Sequence, residues 1–220
     1  MTQEEREPEA PTTAAPAATQ DDPEGAPTPA PRTGARGAAT RERIVDAAAQ
    51  LFYAQGLRAV SADRIIELAG ITKVTFYRHF RTKDDLIVAY LERRAAWERD
   101  AVRGASEAAH GDVDETLRMV STGIGAEACT AGFRGCPFIN AAAEYADPEH
   151  PVRRVVDSHR AWFLSALTQL TEAAGIEGGE AADELMMLRD GAMVSGYLGD
   201  ATHVSAALLS ASRAVIATRR

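Results

Sequence analysis

The 220-residue sequence contains only two cysteines, Cys129 and Cys136, which are too few for a disulfide framework. No apolar run approaches the length of a membrane span, so we expect no contact with the membrane interior. The N-terminus lacks a basic segment followed by an apolar one, which predicts a cytoplasmic protein. The nucleophile-elbow, P-loop and His-Glu-x-x-His motifs are missing, and we therefore predict no catalytic residues and no enzyme.

Patterns typical of β-strands and of internal repeats are also missing, whereas apolar residues recur at helical spacing along most of the chain. The sequence therefore predicts an all-α fold. His150 and His159 do not have the spacing of a metal-binding pair on a helix, so we predict neither a metal nor a cofactor.

Charge is distributed unevenly along the chain, which has a net charge of −8. Residues 40–94 carry 10 basic and 7 acidic side chains, whereas the segments before and after them are both acidic. This asymmetry would orient residues 40–94 toward a polyanion such as DNA. The excess of three positive charges is modest, so we expect two copies to be needed for high affinity.

Residues 61–83 contain the signals of two short helices joined by a tight turn. Ser61 and Thr72 are suited to cap the two helices, and Gly70 is suited to end the first in the left-handed conformation. About two residues then separate the helices, as a helix-turn-helix requires.

The second of these helices, over about residues 73–80, is predicted to have two different faces. Phe76 and Phe80 lie four residues apart and would anchor one face to a core. The other face carries groups that bind phosphates and base edges, namely Lys73, Val74, Thr75, Tyr77, Arg78 and His79. A solvated helix face without a function is the alternative, but the turn, the caps and the aromatic anchor occur together and favour DNA binding.

One further helix is predicted on each side of the helix-turn-helix. The first runs from Arg41 to Gln55 with Thr40 as its cap, and the last begins at Lys83 after Thr82 and continues past Trp97. Lys83 adds a charge to a helix N-terminus, where anions are attracted.

Residues 40–94 resemble the DNA-binding domain of the TetR family of bacterial regulators. The matching stretches are TRERIVDAAAQLFYAQGL and ADRIIELAGITKVTFYRHFRTKDDLI. The resemblance implies an all-helical homodimer that binds a near-palindromic operator, and a C-terminal domain that binds a small effector and dimerises. It places DNA contacts at Lys73, Thr75, Tyr77, Arg78, His79 and Lys83, and phosphate contacts at Thr40 and Ser61. Val74 stands where the family often has a small residue.

The rest of the chain divides into two regions in this interpretation. Residues 1–39 are rich in Pro, Ala and Thr without any aromatic residue, which predicts a disordered tail. Residues 95–220 predict an effector-binding and dimerisation domain with helices near 112–128, 137–146, 150–174, 179–198 and 201–218. The last two helices carry apolar residues on more than one face, so we expect them to form the homodimer interface.

Candidate effector contacts come from aromatic and polar residues of the second domain: Met119, Phe133, Phe138, Asn140, Glu144, Tyr145, His159, Trp162 and Phe163. The favoured function is a repressor that its effector releases from the operator. One alternative is a redox sensor that uses Cys136, with Cys129 as a possible partner. The other is a helical enzyme or lipid carrier with a vestigial helix-turn-helix.

Overall fold

The computed structural model describes residues 34–219, and this part of the chain is helical and contains no strand. The all-α prediction is therefore confirmed. Of the predicted tail, residues 1–33 lie outside the described residues. No helix in the described range is both long enough and apolar enough to cross a membrane.

The helices of the described range follow one another with short connections, and a single 3-10 turn at Ala201–His203 precedes the last of them. Those of the second half begin and end within three residues of the predicted bounds. The helices are α1 Ala35–Gln55, α2 Ala62–Ala69, α3 Lys73–His79, α4 Lys83–Ala108, α5 Val113–Ala128, α6 Pro137–Glu144, α7 Pro151–Ala173, α8 Glu180–Leu198 and α9 Val204–Arg219.

The start of α1 differs from the prediction. The helix begins at Ala35, so the prediction of disorder is wrong for the last residues of the proposed tail. Thr40 lies inside the helix and not at its cap, and its hydroxyl donates to the carbonyl of Arg36 at 2.9 Å. Alanine and arginine are strong helix formers, and they extend α1 upstream of the residue that resembled a cap.

The predicted caps of the helix-turn-helix are confirmed. Ser61 and Thr72 accept hydrogen bonds from the backbone N–H groups of Arg64 and Thr75, at 3.3 and 3.2 Å. Gly70 ends α2 at φ 62° and ψ 43°, a conformation that favours glycine. Thr82 and Asp85 form a reciprocal capping box at the start of α4.

One continuous hydrophobic core joins the N-terminal helices to α6 and α7. It contains Ile44, Ile65 and Phe76 from the helix-turn-helix region, and also Phe138 and Val152 from the second half of the chain. Helix α4 runs through this core without interruption across residue 94, where the sequence predicted a domain boundary. Helices α6 and α7 therefore share one core with the N-terminal helices.

Helices α5, α8 and α9 pack closely against one another at the other end of the molecule. A second core cluster there includes Leu117, Leu185 and Ile216. Gly125 of α5 lies so close to α9 that an added Cβ would approach the Cβ of Ser205 to 2.6 Å. Any larger residue at position 125 would push α5 and α9 apart.

Phe76→Ala is expected to lower the free energy of unfolding by about 3–5 kcal/mol, because the ring is fully buried and its removal leaves a cavity. Val74→Ala on the same helix removes a side chain that is 79% exposed and should change stability by less than about 0.5 kcal/mol. Chemical denaturation of both variants measures the difference. Equal stabilities would contradict the assigned faces of α3.

Candidate DNA-binding surface and effector cavity

Helix α3 presents its polar side to solvent, as the sequence predicted. The rings of Phe76 and Phe80 are buried, with their centroids 6.2 Å apart. Val74 and Tyr77 are exposed on the opposite side, together with Lys73 and Arg78. The arrangement gives a short helix whose exposed edge is about as long as the major groove is wide, roughly 12 Å.

The side chains on this edge differ in the hydrogen bonds that they make with other residues of the protein. Lys73 donates to Asp63 at 3.1 Å, in a pair that is exposed and therefore weak. The hydroxyls of Thr75 and Thr72 lie 2.9 Å apart. Arg78 makes no hydrogen bond within the described range, so its guanidinium is available for phosphate or guanine.

His79 is partly buried beside two arginines. Burial, followed by the charges of Arg78 and Arg41, lowers the pKa of its ring below the ordinary value. The ring is therefore neutral at pH 7 in the free protein, where it offers a donor but no charge to phosphate.

Lys83 and Ser61 have structural partners. The ammonium group of Lys83 donates to the carbonyls of Leu57, Arg58 and Val60 at 3.1 to 3.2 Å. All three of its protons are engaged, so Lys83 fixes the turn between α1 and α2 and keeps no proton for a phosphate. Ser61 uses its oxygen as a helix cap, which leaves its own proton free to donate.

A cavity of about 910 Å³ lies between α4 and α5. Trp97, Met119, Ile124 and Phe163 contribute apolar surface, and helices α1, α6, α7 and α8 also contribute residues to the lining. The volume is near the upper end of the range for drug-sized ligands, about 300–1,000 Å³. Tyr53 of α1 lines the same cavity, so a bound molecule would contact the first helix directly.

The predicted effector residues are distributed over several environments. Met119 and Phe163 line the large cavity, and Asn140 and Glu144 line a second pocket of about 340 Å³. The remaining five line neither pocket: Phe133, Phe138, Tyr145, His159 and Trp162. Phe138 and His159 stack on each other with centroids 3.6 Å apart, and both are buried, so this part of the prediction is not supported.

Sequence reasoning missed Tyr53 and Trp97 as lining residues. Tyr53 belongs to the helix-turn-helix region in sequence, and its hydrogen bonds with the segment before α6 hold it beside the cavity. Trp97 lies on the long helix that the sequence predicted to link the two regions. Its side chain is 53% exposed. The exposure of a helical residue depends on how distant helices pack, which the sequence does not show.

A buried ionic cluster forms one wall of the cavity. Glu98 accepts hydrogen bonds from Arg94 at 3.0 Å and from Arg189 at 3.3 Å, and lies 3.1 Å from Nε2 of His159. Burial alone would raise the pKa of Glu98, but the hydrogen bond with His159 and the charges of Arg189 and Arg94 lower it below the ordinary value. Glu98 is therefore ionised at neutral pH.

Both cysteines are free, and they lie in different environments. Cys129 is exposed, whereas Cys136 is buried and its sulfur accepts a hydrogen bond from Arg189 at 3.2 Å. Burial restricts the access of oxidants to Cys136, so the arrangement does not favour the redox alternative over ligand binding.

Helix α6 connects the cavity to the helix-turn-helix. Pro137 at its start lines the cavity. Glu144 at its end accepts hydrogen bonds from the backbone N–H groups of Leu57 and Arg58 at 2.8 and 2.7 Å. The next residue, Tyr145, lies 3.2 Å from Asp84 at the start of α4. One short helix thus contacts the cavity and the base of the DNA-binding region.

Comparison with known proteins identifies the family. Residues 44–90 match the family model for bacterial regulatory proteins of the tetR family. The crystal structure of SCO4454, a TetR-family transcriptional regulator from Streptomyces coelicolor, is 41% identical, with a TM-score of 0.78 over 83% of this chain and 96% of that one. The chain belongs to the TetR family of transcriptional regulators. Its exposed α3 is accordingly the recognition helix of a DNA-binding protein.

Curated relatives of this TetR-family member match it over a shorter stretch. The transcriptional regulator SrpR of Pseudomonas putida is 40% identical over 63 residues, which is 29% of this chain and 30% of SrpR. The matches cover less than half of SrpR and of TtgW from the same species. The reduced form of Escherichia coli NemR is 21% identical, with a TM-score of 0.70 over 80% of this chain and 96% of that one, and it shows the fold alone.

Arg78→Ala is expected to weaken binding to a DNA duplex selected from a random pool by about 1–3 kcal/mol, because it removes the cation of the recognition helix that is free to contact DNA. The melting temperature should stay unchanged, since the side chain is exposed. Arg154→Ala on α7 makes the same change of charge far along the chain and should leave affinity intact. Gel-shift titration of both variants makes the comparison, and equal affinities would contradict the assigned contact.

Proposed function

We propose that this protein is a dimeric repressor that occupies a near-palindromic DNA operator and leaves it when a small apolar molecule enters the cavity beside α4. The observation that carries the proposal is the connection between the two sites: α4 begins beside the recognition helix and its middle lines the cavity. Membership of the TetR family supports the DNA-binding part.

The dimer is proposed to form through α8 and α9. Met187 and Leu198 of α8 are 63% and 75% exposed, and Val194 lies between them on the same face. Gly191 completes this stripe at helical spacing and leaves room for a neighbouring helix. The exposed side of α9 carries small residues, among them Ala206, Ser210, Ala214 and Ala217. An exposed apolar stripe of this kind is typical of a helix that packs against a second subunit.

Two copies would place two recognition helices on one face of a duplex. Successive major grooves lie about 34–36 Å apart, so the operator should contain two inverted half-sites one helical turn apart or a multiple of it. Binding should weaken steeply as salt rises, because contacts to phosphate release counterions.

Val194→Glu is expected to convert the dimer to a monomer and to lower operator affinity at least tenfold, because a carboxylate in an apolar interface lacks a partner. Leu68→Glu on α2 introduces the same charge at another exposed apolar position and should preserve the dimer mass. Light scattering measures the mass, and a gel shift on an operator selected from random duplexes measures the affinity. A Val194→Glu protein that remains dimeric would contradict the interface.

Release is proposed to act through Tyr53. Its ring lines the cavity, and its hydroxyl donates to the carbonyl of Gly135 and accepts from the backbone N–H of Arg134, both at 2.9 Å. Burial raises the pKa of this hydroxyl, although the hydrogen bond from Arg134 opposes the shift, so the group keeps its proton. A ligand that displaces the ring would pull α1 away from the segment before α6.

Tyr53→Phe is expected to reduce the effect of a ligand on operator affinity without preventing the ligand from binding. The uncharged probe phenylnaphthylamine should lower the operator affinity of the wild type by about fivefold or more. The fold reduction that it causes in Tyr53→Phe should be less than half of that. Probe affinity should change by less than about twofold, since the ring remains.

Tyr90→Phe is the matched control, because Tyr90 also lines the cavity and its hydroxyl makes no hydrogen bond within the described range. The control should keep the wild-type response. An identical response in all three proteins would contradict the proposed role of the Tyr53 hydroxyl.

A further inference from the structure

The charged residues of the cavity wall all have partners of opposite charge. Five charged side chains line the cavity: Arg93, Arg94, Glu98, Glu127 and Arg189. Each of the three arginines lies within 4 Å of two carboxylates. Each charge of the wall therefore has a partner of opposite charge among the described residues, although Nε of Arg189 is buried without a hydrogen-bond partner there.

The inner part of this wall, together with Asp190 and the exposed Arg160, which do not line the cavity, contains three arginines and three carboxylates. Glu98 bridges Arg94 and Arg189, Glu127 pairs with Arg94, and Asp190 pairs with Arg189 at 3.2 Å. Arg160 supplies the third cation and lies 2.6 Å from Asp190. Burial by itself would lower the pKa of Arg94, yet Glu127 and Glu98 raise it above the ordinary value, so Arg94 keeps its positive charge.

His159 contacts the ionic cluster through one ring nitrogen and does not line the cavity. Its Nε2 lies 3.1 Å from Glu98, whereas its Nδ1 is buried and has no hydrogen-bond partner. A second proton on Nδ1 would be a buried donor without an acceptor, which is costly. The contact with Glu98 is therefore made through Nε2, which donates a hydrogen bond to the carboxylate.

The outer cation is also compensated. Arg93 donates to Glu42 and Asp46 of α1 at 3.3 and 2.7 Å, and these groups are partly exposed to solvent. It is therefore held toward α1 and solvent. A ligand with a negative charge would have to take Arg93 or Arg94 from existing partners, and a cation would have to take Glu98 or Glu127.

We propose that the cavity binds uncharged, largely apolar and aromatic molecules, and that its balanced wall excludes ligands that carry a net charge. Trp97, Phe163 and Tyr53 offer ring surfaces to such a molecule, and Met119 and Ile124 offer adaptable apolar surface. In this largely apolar space, a charged ligand would leave one charge without a partner. That charge would be either its own or that of a wall residue whose partner it had taken. The class of ligand follows from the wall itself, and only its role as effector rests on the proposed function.

A matched pair of fluorescent probes tests the charge rule. Phenylnaphthylamine is uncharged, and anilinonaphthalene sulfonate has the same aromatic skeleton with one negative charge. Fluorescence titration of the full-length protein without DNA should give at least about tenfold tighter binding of the uncharged probe. Equal or tighter binding of the sulfonate would overturn the proposal, whatever either probe does to operator binding.

Glu127→Gln tests the balance directly, because it removes one carboxylate from the wall and keeps a side chain of the same size. Affinity for the sulfonate relative to the uncharged probe should rise by about fivefold, as expected for a partly screened charge pair. Glu107→Gln makes the same change at an exposed position of α4 outside the lining and should leave the ratio unchanged. An unchanged ratio in Glu127→Gln would overturn the proposal.

Gly123→Phe locates the probe. Gly123 lines the cavity, and an added Cβ would meet no atom within 4 Å, so the new ring fills the cavity without distorting α5. Uncharged probe binding should fall at least about tenfold. Gly104→Phe on α4 makes the same change outside the lining, also with open space, and should have no effect. A Gly123→Phe protein that binds the probe normally would place it elsewhere and overturn the assignment.

A separate measurement of operator affinity with the uncharged probe bound distinguishes the two proposals. A probe that binds in the cavity and leaves operator affinity unchanged supports the ligand class and contradicts the role of the cavity in release. A probe that binds and weakens operator binding supports both proposals.

Discussion

Burial of Phe76 and Phe80 is the constraint on which the DNA-binding surface depends. A helix of seven residues is too short to be stable alone, so α3 holds its shape only because these rings pack into the core. The same packing fixes the rotation of the helix and turns Tyr77 and Arg78 outward. Hydrophobic burial, and not any property of the polar residues, therefore decides which groups face DNA.

The same core extends from the recognition helix to α6 and α7, so the two halves of the chain share one packed interior. Polar contacts reinforce this packing at two places. Glu144 accepts from the backbone N–H groups of the turn after α1, and Tyr53 joins α1 to the segment before α6. These contacts join α1 and the turn that follows it to α6 and the segment before α6.

The sequence predicted the DNA-binding surface better than the cavity, and the reason is physical. Caps, turns and a Phe pair four residues apart are local signals, and the structure reproduces them at Ser61, Gly70 and Thr72. The cavity depends on contacts between distant helices, which local spacing does not contain. His159 was a candidate effector contact but is buried in an ionic cluster, while Tyr53 was not a candidate and lines the cavity. The early start of α1 was missed because Thr40 resembled a cap.

The tight contact at Gly125 has a consequence for how this protein can change over evolutionary time. The side of α5 that meets α9 has no room for additional atoms, whereas Gly123, two residues earlier, faces open space. Mutations on the open side can alter which molecules are recognised while the subunit scaffold is preserved. Substitutions at position 123 can therefore change the shape of the cavity, whereas substitutions at position 125 disturb the packing of α5 on α9.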